Sequence, residues 1–254
     1  MSYVHTLVLG DTHMDWQSTL RALYHFQPKV CLVAGDFGWW PTAWVKAKIR
    51  GQKQIPLDYL LESKPKETEI RFIEGNHEDL PRLFGIAEHY RRERNLGQYE
   101  AVELRDGLWY QPRGSTYTLA DGRTILFCGG GKSVDAPLRK LGVNWFKEEI
   151  VYAEQLPKTL PKADIVISHT VPNRLNVLET IPAVDWEYNG WDSTPDPTST
   201  VLDWIFDTVH PDLWIASHLH LFRKGKVDNT EYFVLDRTDN GECPLEEFSY
   251  VLIS

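Results

Sequence analysis

The first part of the chain alternates between short uninterrupted apolar runs and stretches whose apolar residues recur with helical spacing. The uninterrupted runs predict buried strands at residues 6–10, 30–34 and 70–74. Between the first two runs, Trp16, Leu20 and Leu23 recur at helical spacing and predict a helix over residues 16–26. Shorter helical pieces are predicted at residues 44–49 and 57–61. Alternating strands and helices are typical of a parallel sheet covered by helices.

The middle of the chain shows a different pattern, with short strands predicted at residues 108–110, 115–119 and 124–128. An Asp-Gly pair between the last two is a hairpin turn signal, so we expect this block to be antiparallel. After a run of three glycines, apolar and acidic residues predict a helix over residues 145–156, which Pro157 ends.

Buried strands return in the C-terminal part and are predicted at residues 164–168, 213–217 and 248–253. A helix is predicted over residues 198–209, with Ser199 or Thr200 as its N-cap. Residues 221–227 and 231–235 are predicted to form a hairpin across an Asp-Asn turn.

Composition is that of an ordinary globular protein, with 42% hydrophobic and 25% charged residues in 254. We find no repeat, low-complexity tract or linker, so we expect residues 1–254 to form a single domain. The net charge of −9 and the lack of a basic stripe disfavour a long nucleic acid as partner. No apolar stretch approaches the roughly 18–20 residues of a membrane span, so we expect no membrane partner. Cys31 and Cys128 lie in apolar runs as predicted buried thiols, which favours the cytoplasm.

Five predicted strands are followed directly by side chains that can bind a metal or transfer a proton. These side chains are Asp11 and His13, then Asp36, then Asn76 and His77, then His169, then His218 and His220. Because open α/β sheets build their sites at the carboxyl ends of strands, we expect these residues to converge on one pocket. Such a set suits a pair of divalent metal ions, the usual apparatus for hydrolysing phosphate esters.

The spacing and chemistry of these residues indicate how ions would be bound. In extended backbone, residues i and i+2 point the same way, so Asp11 and His13 can bind one ion, as can His218 and His220. The carboxylate of Asp36 has two oxygens and can bridge two ions. Mixed oxygen and nitrogen ligands favour Mn²⁺, with Fe, Zn²⁺ and Ni²⁺ as alternatives, over Ca²⁺.

With these motifs in this order, the chain resembles the bacterial and phage-type calcineurin-like metallophosphoesterases. The pattern of that superfamily is Asp-x-His, Gly-Asp, Gly-Asn-His-Glu/Asp, a single His, and Gly-His-x-His, and the match runs from Gly10 to His220. The resemblance implies an α/β fold, namely a four-layer α/β/β/α sandwich of two mixed β-sheets with a dimetal site at one edge.

The resemblance also implies a role for each residue. The first metal ion would be bound by Asp11, His13 and His220, and the second by Asn76, His169 and His218. Asp36 would bridge the two ions. His77 would lie over the phosphate as proton donor or charge stabiliser, with Glu78 as a candidate to orient it. A hydroxide bridging the metals would attack phosphorus in line, which makes the expected activity that of a metal-dependent phosphoric ester hydrolase.

The chain departs from the family pattern in two places. Ser217 stands where the last motif has glycine, and the phosphate-clamping arginines of the protein Ser/Thr phosphatase branch are absent after Asp36 and before Gly75. We therefore expect a small or nucleotide-like phosphate monoester or diester as substrate. A Ser/Thr-type protein phosphatase, a nuclease and a catalytically silent scaffold of the same fold are the alternatives.

Three residues are candidate substrate contacts. Lys132 and Arg139 follow the glycine run and could bind an anion, with a tight loop carrying two solvated cations as the alternative. Trp39 could wall the pocket and stack on a ring, with core packing as the alternative. The long irregular segment 170–198, which contains Trp186 and Trp191, is predicted to border the pocket.

Overall fold

A computed structural model describes residues 6–40, 48–49, 52–53, 56–178, 192, 194–238 and 249–253, with only the backbone described at 48–49 and 52–53. The strands are β1 (Thr6–Leu9), β2 (Val30–Val33), β3 (Lys48–Ile49), β4 (Gln52–Lys53), β5 (Glu69–Phe72), β6 (Val102–Arg105), β7 (Leu108–Tyr110), β8 (Thr116–Thr118), β9 (Thr124–Cys128), β10 (Ile165–Ser168), β11 (Leu213–Ala216), β12 (Arg223–Val227), β13 (Thr230–Val234) and β14 (Tyr250–Ile253). The α-helices are α1 (Trp16–Phe26), α2 (Leu57–Ser63), α3 (Leu80–Glu93) and α4 (Pro197–Val209).

Two six-stranded mixed sheets carry the fold. The first has the strand order β14-β1-β2-β5-β7-β6, in which β1, β2, β5 and β7 are parallel and the outer strands β14 and β6 are antiparallel. The second has the order β12-β13-β11-β10-β9-β8, with four parallel central strands and the antiparallel outer strands β12 and β8. The parallel strands place their carboxyl ends at one edge of each sheet.

The buried side chains define the layers. Because successive strand residues point to opposite faces, Leu7 and Leu9 of β1 pack with α1 and α3 residues while Val8 packs with the second sheet. The core between the sheets joins Val8 and Leu32 to Ile125 and Ile167. A third cluster packs the outer face of the second sheet against α4. The expected α/β/β/α sandwich with two mixed sheets is confirmed.

Local signals account for the helix boundaries. The carboxylate of Asp15 accepts a hydrogen bond from the Ser18 amide and begins α1, and Asp79 does the same at α3 through the Arg82 amide. The predicted N-cap of α4 is wrong, because Asp196, directly before Pro197, accepts from the Thr198 amide. A proline at the first helical position leaves the preceding Asp as the natural cap.

Most predicted strands are confirmed, and α1 matches its predicted range. The helix predicted over residues 145–156 is wrong, since this fully described stretch holds only two single-turn 3-10 helices, Lys147–Glu149 and Ala153–Gln155. The backbone carbonyls that a helix would use are bonded elsewhere, because Gly131 donates to the Glu149 carbonyl and Arg113 to that of Ile150.

Two further predictions need correction. Residues 48–49 are the strand β3 instead of helix, whereas residues 44–47 lie outside the described part of the chain. The middle block is antiparallel only in part, because β7 joins the first sheet in parallel with β5 while β8 and β9 form an antiparallel pair in the second. Trp186 and Trp191 also lie outside the described residues.

Candidate metal centre

The carboxyl ends of β1, β2, β5, β10 and β11 bring the predicted ligands together in the fold. Four of them have a left-handed backbone, with φ of 44° at His13, 44° at Asp36, 70° at His218 and 48° at His220. Non-glycine residues in this region cost free energy and concentrate at functional sites. The glycines before two of the motif residues leave the necessary space, because a Cβ on Gly35 would clash with the His169 ring and one on Gly75 with the Asp36 carboxylate.

One group of side chains forms a compact cluster of potential metal ligands. Ligand atoms of Asp11, His13, Asp36 and His220 all lie within 4.8 Å of one another. Nε2 of His13 is 2.9 Å from Nε2 of His220, which is 3.1 Å from Oδ2 of Asp11. Oδ2 of Asp36 lies 3.5 Å from Nε2 of His13, so both carboxylates face the same point as the two imidazoles.

A second group lies on the other side of Asp36. Oδ1 of Asn76 is 3.0 Å from Nε2 of His169, and that nitrogen is 3.4 Å from Oδ1 of Asp36. The His218 ring lies beside the His169 ring, with a centroid distance of 4.7 Å. Asp36 therefore directs one oxygen to each group, as a bridging carboxylate would.

Backbone carbonyls fix the tautomers of two histidines. A carbonyl only accepts, so Nδ1 of His169 must donate to the Ala34 carbonyl at 3.0 Å, and Nε2 of His218 must donate to that of Lys132 at 3.1 Å. These bonds leave lone pairs on Nε2 of His169 and Nδ1 of His218. Such outer hydrogen bonds are the usual way in which a protein orients ligating imidazoles.

Two buried oxygens in this cluster lack hydrogen bonds. Among the described residues, Oδ2 of Asp11 and Oδ2 of Asp36 have no hydrogen-bond partner, and both side chains are buried. Burying an unpaired carboxylate oxygen is costly unless a cation compensates it. The donor set and these two oxygens therefore fit divalent metal ions.

Burial lowers the pKa of three of the four imidazoles in these two groups. It lowers the pKa of His13 and of His169, and, together with the nearby His169, it lowers the pKa of His218 to about 4. These three rings are neutral at pH 7, and neutral imidazole is the ligating species. His220 differs, because burial lowers its pKa but contact with the Asp11 carboxylate outweighs burial and raises the pKa overall.

Ser217, the residue that replaces the glycine of the last motif, takes part in the cluster. Its hydroxyl donates to Oδ1 of Asp11, which also accepts from the His218 amide at 3.2 Å. These hydrogen bonds hold Oδ1 of Asp11, so Oδ2 faces the imidazoles of His13 and His220. The departure from the family pattern adds a ligand-orienting contact.

His77 lies at the open side of the cluster. Its amide donates to Oδ1 of Asp36 at 2.7 Å, and its ring, with a side chain 33% exposed, makes an edge contact with His13 at 5.1 Å. The suggestion that Glu78 orients this ring is wrong. The Glu78 carboxylate accepts instead from the Gly38 and Gly75 amides and joins two motif loops, while Oδ2 of Asp135 lies 4.0 Å from Nε2 of His77.

The three candidate substrate contacts have different surroundings. Arg139 lies beside the cluster and donates to the Asn76 carbonyl at 3.3 Å and to the Ser133 hydroxyl at 2.8 Å. The Lys132 ammonium pairs with Asp192 at 3.0 Å and donates to Thr194. Trp39 is only 8% exposed and packs in the core beside Phe72, so the structure favours the core alternative for this residue.

Sequence reasoning missed Ser133, Asp135 and Glu149, which surround Asn76 and His77. A hydroxyl and a carboxylate next to the glycine run were visible in the sequence. No local pattern indicated that Glu149 would turn inward, because its neighbours suggested the exposed face of a helix.

A model of the calcineurin-like phosphoesterase family matches residues 4–222. The comparison with curated proteins returned no match. Among solved structures, one similar chain is GAP50, the anchor in the inner membrane complex of Plasmodium, with 10% identity, a TM-score of 0.43, and coverage of 90% of this chain and 70% of that one. Another is a putative 5′-nucleotidase from Staphylococcus aureus in complex with alpha-ketoglutarate, with 16% identity and a TM-score of 0.46.

The alignment with the nucleotidase covers 91% of this chain and 48% of that one, so this chain spans about half of its length. Both TM-scores lie below 0.5, and neither likeness carries an inference about function. Among the described residues, no helix is long and apolar enough to cross a membrane.

Proposed function

The chain belongs to the calcineurin-like phosphoesterase family, and from that premise we propose that it hydrolyses small or nucleotide-like phosphate esters with two divalent metal ions. The observation that carries the proposal is the sharing of Asp36 between two groups of ligand atoms. Its oxygens approach His13, which follows β1 of the first sheet, at 3.5 Å, and His169, which follows β10 of the second sheet, at 3.4 Å.

Each ion has a complete set of side chains in this proposal. The first would be held by Asp11, His13, His220 and Asp36, and the second by Asn76, His169, His218 and Asp36. When bound, such a pair activates water as a nucleophile and neutralises charge that develops on the phosphoryl oxygens. Mixed oxygen and nitrogen ligands favour Mn²⁺, with Fe, Zn²⁺ and Ni²⁺ as alternatives.

The chain supplies two further groups for the phosphate. His77 borders the cluster and is partly exposed, so its ring can reach a phosphoryl or leaving-group oxygen and stabilise charge there or supply a proton. Arg139 is held beside Asn76 by hydrogen bonds, which keeps a guanidinium close to the anion. Lys132 would bind the phosphate only if its ammonium left Asp192. Trp39 is buried, so we do not propose it as a substrate contact.

The proposal also covers the extent and location of the protein. Cys31 and Cys128 are buried free thiols, which are compatible with a reducing compartment such as the cytoplasm. We also propose residues 1–254 as one domain, since the buried cluster between the two sheets joins Val8 of β1 to Ile253 of β14 and to strands of the second sheet.

A substrate panel tests the proposal. Mn²⁺-loaded protein is assayed on p-nitrophenyl phosphate, its bis-ester, 2′,3′-cyclic nucleotides and a phosphopeptide. We expect turnover of the small esters or cyclic nucleotides to exceed that of the phosphopeptide, to disappear with a chelator and to return with Mn²⁺. Activity that is indifferent to chelation, or a clear preference for the phosphopeptide, contradicts the proposal.

A further inference from the structure

A chain of buried hydrogen bonds runs from Asn76 away from the metal centre. Nδ2 of Asn76 donates to Oγ of Ser133 at 3.0 Å, and Oγ of Ser133 donates to Oε2 of Glu149 at 2.6 Å. All three side chains are buried. Among the described residues, the hydrogen bonds that connect Ser133 and Glu149 to the proposed second group run through the Asn76 side chain.

The direction of each hydrogen bond follows from the donors around Glu149. Oε1 accepts from the Ser133 amide at 2.7 Å and from Nε1 of Trp145 at 3.0 Å, and neither group can accept. Oε2 accepts the hydroxyl proton of Ser133. The single hydroxyl proton of Ser133 is therefore engaged in the hydrogen bond to the Glu149 carboxylate.

With its proton engaged, Oγ of Ser133 can only accept from its other neighbours. It accepts from Nδ2 of Asn76 and from the Arg139 guanidinium at 2.8 Å. The amide of Asn76 is consequently turned with its nitrogen to Ser133 and its oxygen to the cluster. Without this constraint, the two ends of an amide are nearly equivalent in shape, and either could face the ions.

The orientation of Asn76 matters because of what its oxygen faces. Oδ1 lies 3.0 Å from Nε2 of His169. This nitrogen carries a lone pair, because the proton of the neutral ring is on Nδ1, which donates to the Ala34 carbonyl. Two acceptors at this distance repel each other unless a cation lies beside both. The flipped amide would instead direct an N–H group at the ion position and exclude the cation.

We propose that Ser133 and Glu149 are positioning residues that fix the amide of Asn76 and thereby set the affinity of the second metal ion without setting that of the first. The inference rests on the proposed function, because it presumes the two ions. Groups that orient metal ligands typically change metal affinity by ~10–100-fold when they are removed.

Two substitutions test the two positioning residues one at a time. Ser133→Ala removes the acceptor for Asn76. Glu149→Gln keeps the size of the side chain but introduces an amide that can donate to Ser133, which frees the serine proton to point at Asn76 and favours the flipped amide. Ser115→Ala is the matched control, because Ser115 is also buried and, in the part of the chain that the structure describes, its hydroxyl donates to Gln111 at 3.2 Å and to none of the proposed ligands.

The experiment is a Mn²⁺ titration of each purified full-length variant at pH 8, followed by electron paramagnetic resonance and equilibrium dialysis. Thermal unfolding in chelator checks that each variant is folded. We expect the wild type and Ser115→Ala to bind two ions. We expect Ser133→Ala and Glu149→Gln to bind the first ion within about 3-fold of wild type and the second ~10–100-fold more weakly.

Each outcome bears on a different claim. Equal weakening of both ions, or unchanged affinity for the second ion in folded Ser133→Ala and Glu149→Gln, overturns the positioning role and leaves the proposed function standing. Two-ion binding lost to the same degree in Ser115→Ala also overturns it. A wild type that binds no metal overturns both the proposed function and this inference.

Discussion

Nε2 of His13 lies 2.9 Å from Nε2 of His220, although 207 positions separate the two residues in the sequence. Burial lowers the pKa of His13, although the charges of Asp36 and Asp11 oppose it, so the ring of His13 is neutral at pH 7. The pKa of His220 is raised by contact with Asp11, so the two nitrogens at this distance share either a proton or a cation. With Oδ2 of Asp11 3.1 Å away and without a hydrogen bond among the described residues, a divalent ion satisfies all three atoms.

Metal binding is predicted to stabilise the folded chain through Asp36. A ligand that binds only the native state at about 100 times its Kd adds about 2.7 kcal/mol to the free energy of unfolding. Mn²⁺ should therefore raise the Tm of the wild type, and Asp36→Asn should lose most of that rise because the shared charge is gone. Differential scanning calorimetry with Mn²⁺ or chelator measures both, and an equal rise in the two proteins is the contrary result.

His77→Gln is predicted to separate chemistry from metal binding. The variant should retain two ions, because the backbone amide that holds Asp36 is unchanged, while kcat falls by ~10²–10⁴-fold. His89→Gln, on the exposed face of α3, serves as the control and should leave kcat unchanged. Metal analysis and steady-state kinetics decide the matter. A variant that loses metal but keeps its turnover per bound ion would show that His77 is a ligand.

Glu149 is predicted to make stability depend on pH. Burial raises the pKa of Glu149 from 4.5 to about 7, so the folded chain retains a proton that the unfolded chain has lost. The free energy of unfolding from this group therefore falls as pH rises from about 4.5 through 7, by on the order of 3 kcal/mol at most. Glu149→Gln should lack that fall.

Urea unfolding in chelator at pH 5 and pH 8 measures the effect as the difference between wild type and Glu149→Gln. The chelator removes any contribution from metal release, and the difference cancels the titration of the other groups. A difference that does not change with pH would show that Glu149 titrates normally in the folded chain.

The buried ion pair between Arg113 and Glu74 is predicted to support the loop that carries Asn76. Arg113 is 6% exposed and also donates to the Glu148 and Ile150 carbonyls, so Arg113→Met leaves Glu74 as an uncompensated buried charge. We expect a loss of ~3–5 kcal/mol in the free energy of unfolding. Arg92→Met, in a pair with Glu88 on α3 where Arg92 is 79% exposed, should cost much less, because solvent screens an exposed ion pair. Equal losses would contradict the assigned burial effect.

The sequence predicted the parallel strands and the residues at their carboxyl ends because both depend on local patterns. An uninterrupted apolar run such as β2 indicates a buried element, and Asp36 lies three positions after its last residue, Val33. The same logic placed His169 after β10 and His218 after β11. The residues missed by sequence reasoning depend on contacts between distant segments.

Residues 145–156 illustrate why such contacts are not visible in the sequence. Their composition favours a helix, but Arg113 and the glycine run capture the backbone carbonyls of this stretch. Tertiary hydrogen bonds therefore override the local propensity. The same override turns Glu149 inward to Ser133, where no local rule would place a carboxylate.

Whether two ions share the Asp36 carboxylate is measured by the electron paramagnetic resonance spectrum of the wild type loaded with two equivalents of Mn²⁺, compared with that of Asp36→Asn. Two ions that share this carboxylate should be magnetically coupled, so we expect an exchange-coupled multiline spectrum at two equivalents and its loss in Asp36→Asn. A spectrum of isolated Mn²⁺ in the wild type, or coupling that persists without the Asp36 carboxylate, would show that Asp36 does not bridge two ions.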